Sequence, residues 1–237
     1  MNQWDKIWKN RMINFQKSND IFQMFCELKS ADGFDTQDIP GYYEAFFKQW
    51  EEMADRVFQK CSNKIESVYE VGCGSGVNLF LFQQLKNIRR VGGVDYSDPL
   101  VELAGNILGE KSDLKCEEAL NLDIESKYGL VLADSVFQYF QDADYGLQVL
   151  EKMWNKSTDM IVITEIHDRA KREEHLACRR RYVENYDEKY KGLDKTFYEK
   201  QMFLEFSKNK NAKCEIVQPQ NNIYWNNEFV FDCYLFR

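Results

Sequence analysis

Three glycines at alternate positions, Gly72, Gly74 and Gly76, separate a short apolar run, Val68–Val71, from a second run that begins at Val77. A chain that turns through alternating glycines can bring its backbone close to a ligand, because no Cβ stands in the way, and it leaves amide N–H groups free to point at that ligand. Carboxylates accompany the turn. Glu70 comes just before it, Asp95 closes the run Arg90–Val94 about 25 residues later, and Asp134 closes the run Gly129–Ala133, the second acid matching the one that grips ribose hydroxyls in a doubly wound fold. Glycine spacing alone also fits a tight turn with no ligand. The acids at successive strand ends favour a nucleotide-like ligand, since open α/β sheets bind at the carboxyl ends of their strands.

The elements that must hold these residues alternate along the chain. Strands are expected over 68–71, 90–94, 113–117, 129–133 and 159–166, with helices over 77–87, 98–108 and 142–154. Such alternation predicts a parallel sheet with right-handed crossovers. Asp98-Pro99 supplies a cap and a first-turn proline, and Asp159–Ile166 is the most apolar run, hence a central strand. Residues 1–60 read as helices broken near Ala31–Asp35 and restarted after Pro40-Gly41. Residues 168–211 read as a charged helical section, and Cys214–Val217 with Ile223–Phe236 as a hairpin joined around Pro219–Asn222.

Glu70-Val71-Gly72-Cys73-Gly74-Ser75-Gly76 resembles the first motif of class I S-adenosylmethionine (SAM)-dependent methyltransferases, and Gly93-Val94-Asp95-Tyr96-Ser97 resembles their second. Glu117–Leu122 is similar to the acid-Ala segment beside the adenine, and Leu130–Phe137 to the strand and loop that follow it. The resemblance covers residues 64–166. It implies an α/β fold of the doubly wound, mostly parallel seven-stranded type with a C-terminal antiparallel hairpin. The single methyltransferase domain, 1–237, would comprise a helical N-terminal cap (1–60), a SAM-binding core (64–167), a helical lid inserted before the last strands (168–211) and the hairpin (212–237).

The resemblance also assigns cofactor roles, with S-adenosylhomocysteine (SAH) as product. Glu70 would serve the amino-acid end, the backbone of Gly72, Cys73, Gly74 and Gly76 the carboxylate and ribose, and Asp95 both ribose hydroxyls. Tyr96 would lie along the adenine beside Ser97. Glu118 and the Ala119 amide would read the adenine edge, with Glu117 able to replace Glu118 under a one-residue shift. Asp134 and Ser135 would line the methionine end. An acidic pocket suits a cationic cofactor.

Composition narrows the class. The 237 residues are 44% hydrophobic, 30% charged and 15% aromatic, which describes a globular chain. A net charge of −8 argues against nucleic acid as partner. No apolar run reaches membrane-spanning length and Met1–Phe15 lacks a signal-like segment, so a cytoplasmic protein without membrane contact is expected, as monomer or homodimer. Seven scattered cysteines, none in a Cys-x-x-Cys pair, argue against disulfides and a zinc site. Cys73 reads as a space-filler.

The partner is then a small polar methyl acceptor of phosphorylated or sugar type, taking the methyl group on a hydroxyl or, as the alternative, on an amine. A hydroxyl acceptor needs a base, which favours oxygen transfer through His167, the histidine that follows the strongest strand; a plain structural role is its alternative. His175 reads as solvent-exposed. Tyr43, Tyr139, Arg180 and Tyr198 are candidates for acceptor contacts. Arg180 belongs to a basic run that also fits a solvated helix face. Two other functions share the pattern: an NAD(P)-dependent oxidoreductase, against which Val77 stands where a small residue is wanted, and a non-catalytic nucleotide-binding protein.

Overall fold

The expected alternation of strands and helices is present in the structure, a computed structural model that describes residues 3–33, 39–61, 64–220 and 223–237. Helices α1 (Gln3–Lys9), α2 (Ile21–Ala31) and α3 (Tyr42–Lys60) precede strand β1 (Ser67–Val71). There follow α4 (Val77–Lys86), β2 (Arg90–Asp95), α5 (Asp98–Leu108), β3 (Asp113–Cys116), β4 (Tyr128–Asp134), α6 (Ala143–Lys156) and β5 (Ser157–His167). The chain ends with α7 (Arg172–Tyr182), α8 (Tyr186–Lys189), α9 (Lys200–Asn209), β6 (Lys213–Val217) and β7 (Val230–Phe236). The sheet runs β3-β2-β1-β4-β5-β7-β6. Strands β1 to β5 are parallel, and β7 is antiparallel to both β5 and β6.

Alternation of side chains divides the core into two layers. Val68, Leu130, Leu132, Met160 and Val162 face α2, α3, α4 and α5, whereas Tyr69, Val71, Val131, Ile161 and Ile163 face α6 and α9. Every residue of β1 is buried, as a parallel strand covered on both sides requires. Full burial of a side chain such as Leu130 or Val162 contributes roughly 1.5–3 kcal/mol.

Local signals fix the helix starts. The carboxylates of Asp20 and Asp142 accept from the amides of Gln23 at 2.8 Å and Tyr145 at 2.7 Å, satisfying donors at the first turns of α2 and α6. At α5 the cap position falls on Ser97, with Asp98 in the first turn and Pro99 beside it, one residue earlier than the sequence suggests.

Two other expectations need correction. Residues 225–229 form a 3-10 helix, so the second hairpin arm is extended only from Val230; of the joint at Pro219–Asn222, Asn221 and Asn222 lie outside the described residues, as do Phe34 and Asp35 of the break after α2. His175 is not exposed: it is 2% accessible, stacked against Trp225 with ring centroids 5.6 Å apart and packed near Phe197 and Phe229.

Candidate active site

A cavity of about 620 Å³ opens at the carboxyl ends of β1, β2 and β4, where a doubly wound sheet leaves a crevice. Its floor is the glycine turn. Gly72 adopts φ 72° and Gly74 φ 48°, a region other residues enter only with strain. A Cβ at Gly72 would overlap the Val136 side chain, and one at Gly74 would meet Asp32 Oδ1 at 2.5 Å. Gly76 caps α4 and does not reach the cavity wall.

Asp95 locks the turn from the next strand. Its carboxylate accepts from the Gly74 amide at 2.9 Å and the Ser97 amide at 2.8 Å, and it also lines the cavity. A carboxylate has about four lone-pair sites, so acceptor capacity remains for a hydroxyl pair. Burial pushes its pKa upward against those amide bonds. Ser97 lies behind the wall, its hydroxyl donating to the Trp8 carbonyl at 2.8 Å. Tyr96, Glu117, Glu118 and Ala119 all face the cavity, so both acids of the adjacent pair are in place to read a ring edge.

The inner end is a hydrogen-bonded cluster of acids around one cation. Asn78 donates to Glu70 Oε1 at 2.6 Å and to Asp134 Oδ2 at 3.1 Å. Thr164 donates to Asp134 Oδ1 at 2.5 Å, and Lys29 pairs with Asp134 at 3.2 Å. Burial opposes the charge on Lys29, but the carboxylates of Asp134, Asp32 and Glu165 outweigh it and hold the ammonium above its usual range. Burial, with Asp134 and Asp32 nearby, raises Glu70 well above the ordinary glutamate value. Its Oε2 is buried without a hydrogen-bond partner among the described residues. Asp32, pushed up to about 6 by burial, accepts from the Ser75 amide at 2.7 Å and hydroxyl at 2.8 Å and so ties α2 to the glycine turn.

The N-terminal helices provide the cover. Trp8 and Phe46 line the cavity with Tyr139, and the rings of Trp4 and Trp8 meet Tyr139 edge-on at 5.0 and 5.7 Å. Tyr224, from the loop before β7, closes the side and contacts Phe46 at 4.7 Å.

Other sequence candidates lie elsewhere. Tyr43 is half-buried on α3 and outside the lining, and none of residues 168–211 lines the cavity. Tyr198 is fully buried and donates to the Phe137 carbonyl at 2.8 Å. Arg180 is exposed and pairs with Asp187 at 3.0 Å, a solvated-face role. His167 is fully buried beside His175 and Phe197 rather than on the cavity wall. Burial, with Lys195, His175 and Arg179 nearby, drives its pKa well down and keeps the ring neutral. Cys73 lines the floor as a buried thiol whose pKa burial raises, consistent with a filler.

Sequence reasoning misses Lys29, Asp32, Asn78 and Glu165. Glu165 is the first acid after the apolar stretch of β5, a usable signal; Asn78 is the second residue of α4, just past the glycine turn, a weaker one. Lys29 and Asp32 arrive from a segment distant in the chain and carry none.

A family model described as a methyltransferase domain matches residues 68–156, from β1 to the end of α6. Over that stretch, which holds the glycine turn, Asp95 and Asp134, the chain is similar to methyltransferases. Among methyltransferases with related sequences, malonyl-[acyl-carrier protein] O-methyltransferase 1 of Ilyobacter polytropus is 31% identical over 106 residues, 42% of this chain and 39% of that protein. The malonyl-[acyl-carrier protein] O-methyltransferase of Priestia megaterium is 24% identical over 127 residues, 52% of this chain and 46% of that protein. The match thus spans less than half the length of either relative. Among solved methyltransferases, plantazolicin methyltransferase BpumL in complex with SAH shares the fold, with a TM-score of 0.63 at 16% identity over 92% of this chain and 93% of that one.

Proposed function

We propose that the protein transfers a methyl group from SAM to a small polar acceptor. The observation that carries this reading is the meeting, in one cavity, of the Gly72–Gly74 turn, the Asp95 carboxylate that holds it, and the buried acid Glu70 with an oxygen that lacks a partner among the described residues. An acidic acceptor set suits a sulfonium cation bearing an ammonium group, and the glycine cradle suits close approach of a ribose and a carboxylate. Asp95 would hold the ribose hydroxyls, Glu117 or Glu118 with Ala119 the adenine, and Glu70 with Asp134 the amino-acid end. Gly72, Cys73 and Gly74 would supply the backbone wall, with Tyr96 and Ser135 at its two ends.

When bound, SAM presents an electrophilic methyl group to the acceptor atom. The chain's own contribution is to position that acceptor and exclude water, which supplies most of the rate of an in-line displacement. The aromatic cover of Trp8, Phe46, Tyr139 and Tyr224 is suited to both tasks. The acceptor atom is an oxygen or a nitrogen. Among the described residues no helix is long and apolar enough to cross a membrane, and a polar acceptor in solution agrees with the acidic surface.

The test is calorimetric titration with SAH and, in parallel, with NAD. Micromolar binding of SAH and none of NAD is the expected result; binding of NAD would transfer the site to the oxidoreductase reading, and binding of neither to the non-catalytic one. Phosphorylated and sugar-type compounds are the first acceptors to screen, alongside amines.

A further inference from the structure

Strand β5 carries one residue more than its partner can match. Between Ile163 and Ile166 it advances three residues while β7 covers two, from Cys233 to Phe231, and a bulge of this kind re-aims a side chain. Ile163 and Ile166 both join the core layer against α6, and Glu165 between them takes a left-handed φ of 55°. The amide of Glu165 leaves the ladder and is accepted by Asp232 Oδ1 at 3.0 Å. The Glu165 side chain lines the cavity while the residue stays 5% exposed.

This carboxyl is only half satisfied. It hydrogen-bonds Ser135, itself in a left-handed conformation and held by Gln138 Nε2 through its carbonyl at 2.9 Å and its hydroxyl at 2.8 Å. Glu165 Oε1 has no hydrogen-bond partner among the described residues. The cation from α2, Lys29, hydrogen-bonds Asp134. A strained residue that buries an acceptor oxygen at a cavity wall is costly unless something binds there.

The rings near it fit a cation. Trp8 and Tyr224 line the same cavity as Glu165, with Phe46 and Tyr139, which already lie under the ammonium groups of Lys29 at 6.0 Å and Lys195 at 5.1 Å, and Tyr139 and Tyr224 both sense its charge. A carboxylate with spare acceptor capacity among aromatic faces holds a protonated amine by charge-assisted hydrogen bonds and cation–π attraction. We infer that Glu165 and these rings form the acceptor subsite for a primary or secondary amine that enters as its ammonium, so that methylation occurs on nitrogen. This rests on the methyl-transfer reading above.

The chemistry balances. The Glu165 carboxylate takes one proton from the ammonium, leaving a neutral amine and a neutral carboxylic acid. The nitrogen lone pair then forms the new C–N bond with the sulfonium methyl as the S–CH3 bond breaks, its electron pair passing to sulfur. Glu165 gives its proton to solvent, and the products are the methylated ammonium, SAH and one proton.

The experiment is calorimetric titration of SAH-saturated protein with 2-phenylethylamine and with 2-phenylethanol, its neutral counterpart, in wild type and Glu165→Gln. The amine is expected to bind at least tenfold more tightly than the alcohol to wild type, and within twofold of it to Glu165→Gln. SAH affinity and the unfolding temperature, unchanged in Glu165→Gln, show that the variant is folded; Glu165→Ala, which also lacks the charge, serves in its place if they change. Equal binding of the two probes, an amine preference that survives loss of the charge, or no binding of either probe to SAH-loaded protein overturns the inference. Protein that takes up no SAH overturns the cofactor reading instead, before either probe is added.

Discussion

The two halves of the cavity are built on different principles. At the β2 side, Asp95 and the glycine turn satisfy each other: amides that the turn exposes are accepted by the neighbouring strand's carboxylate at 2.8–2.9 Å, and the strain falls on glycines that tolerate it. At the β4–β5 side, Ser135 and Glu165 both hold left-handed conformations as non-glycine residues, and buried oxygens of Gln138 and Glu165 lack partners among the described residues. One half is a finished cradle. The other stores strain and unmet polar capacity, the signature of a surface shaped around a particular ligand.

The largest effect should come from breaking the finished half. Gly72→Ala puts a Cβ into the Val136 side chain at a positive φ, and strain of this kind costs about 1–3 kcal/mol. SAH binding should fall at least tenfold, with a lower unfolding temperature; titration and thermal melting check both. Asp95→Asn, next in size, removes the charge that the amides of Gly74 and Ser97 share with the cavity. A charge-assisted hydrogen bond contributes about 1.5–3 kcal/mol, so SAH affinity should drop roughly tenfold or more. An affinity within twofold of wild type would separate Asp95 from the ligand.

The contrast between the halves also explains what the sequence reveals. The glycines, Glu70, Asp95 and Asp134 are legible because each is placed by local structure: a strand end, a turn, and the register of a parallel ladder. Alternation gives the parallel part of the sheet, and the family resemblance implies the seven strands with their antiparallel end. Sequence reasoning passes over Glu165 for His167 because it looks for a histidine base just after the strongest strand, whereas the interruption lies inside the strand, at the bulge between Ile163 and Ile166. Tyr224, Lys29 and Asp32 depend on how α2, α3 and the loop before β7 fold back, which no local pattern encodes. His175 reads as exposed because α7 is polar almost throughout; it is the residue of that helix turned under Trp225.

A smaller prediction sharpens the strained half. Burial raises Asp232 to about 8, well above an unfolded aspartate near 3.8. Between those values the folded state binds more protons, so wild type loses stability as pH rises from about 4 to about 8. Asp232→Asn keeps an oxygen for the Glu165 amide and cannot ionise. Thermal unfolding should show Asp232→Asn gaining on wild type across that window and level with it in slope above pH 8. Parallel curves would mean that Asp232 titrates normally and that the bulge is not closed by a neutral acid.

The smallest effect on ligand binding should be that of His167→Leu. Both ring nitrogens of His167 are buried without hydrogen-bond partners among the described residues, so the substitution removes no hydrogen bond and takes away two unsatisfied polar atoms. SAH affinity should stay within twofold. Stability should separate the proteins only in acid: burial lowers the folded pKa of His167 well below 6.5, and that of His175 to about 4. A group with a depressed folded pKa contributes fully above its unfolded value and loses that contribution as pH falls, so wild type should weaken relative to His167→Leu from about pH 6.5 downward. If the amine preference of SAH-loaded protein also survives in His167→Leu while Glu165→Gln removes it, the acceptor subsite belongs to the residue the bulge turns into the cavity and not to the histidine two positions beyond it.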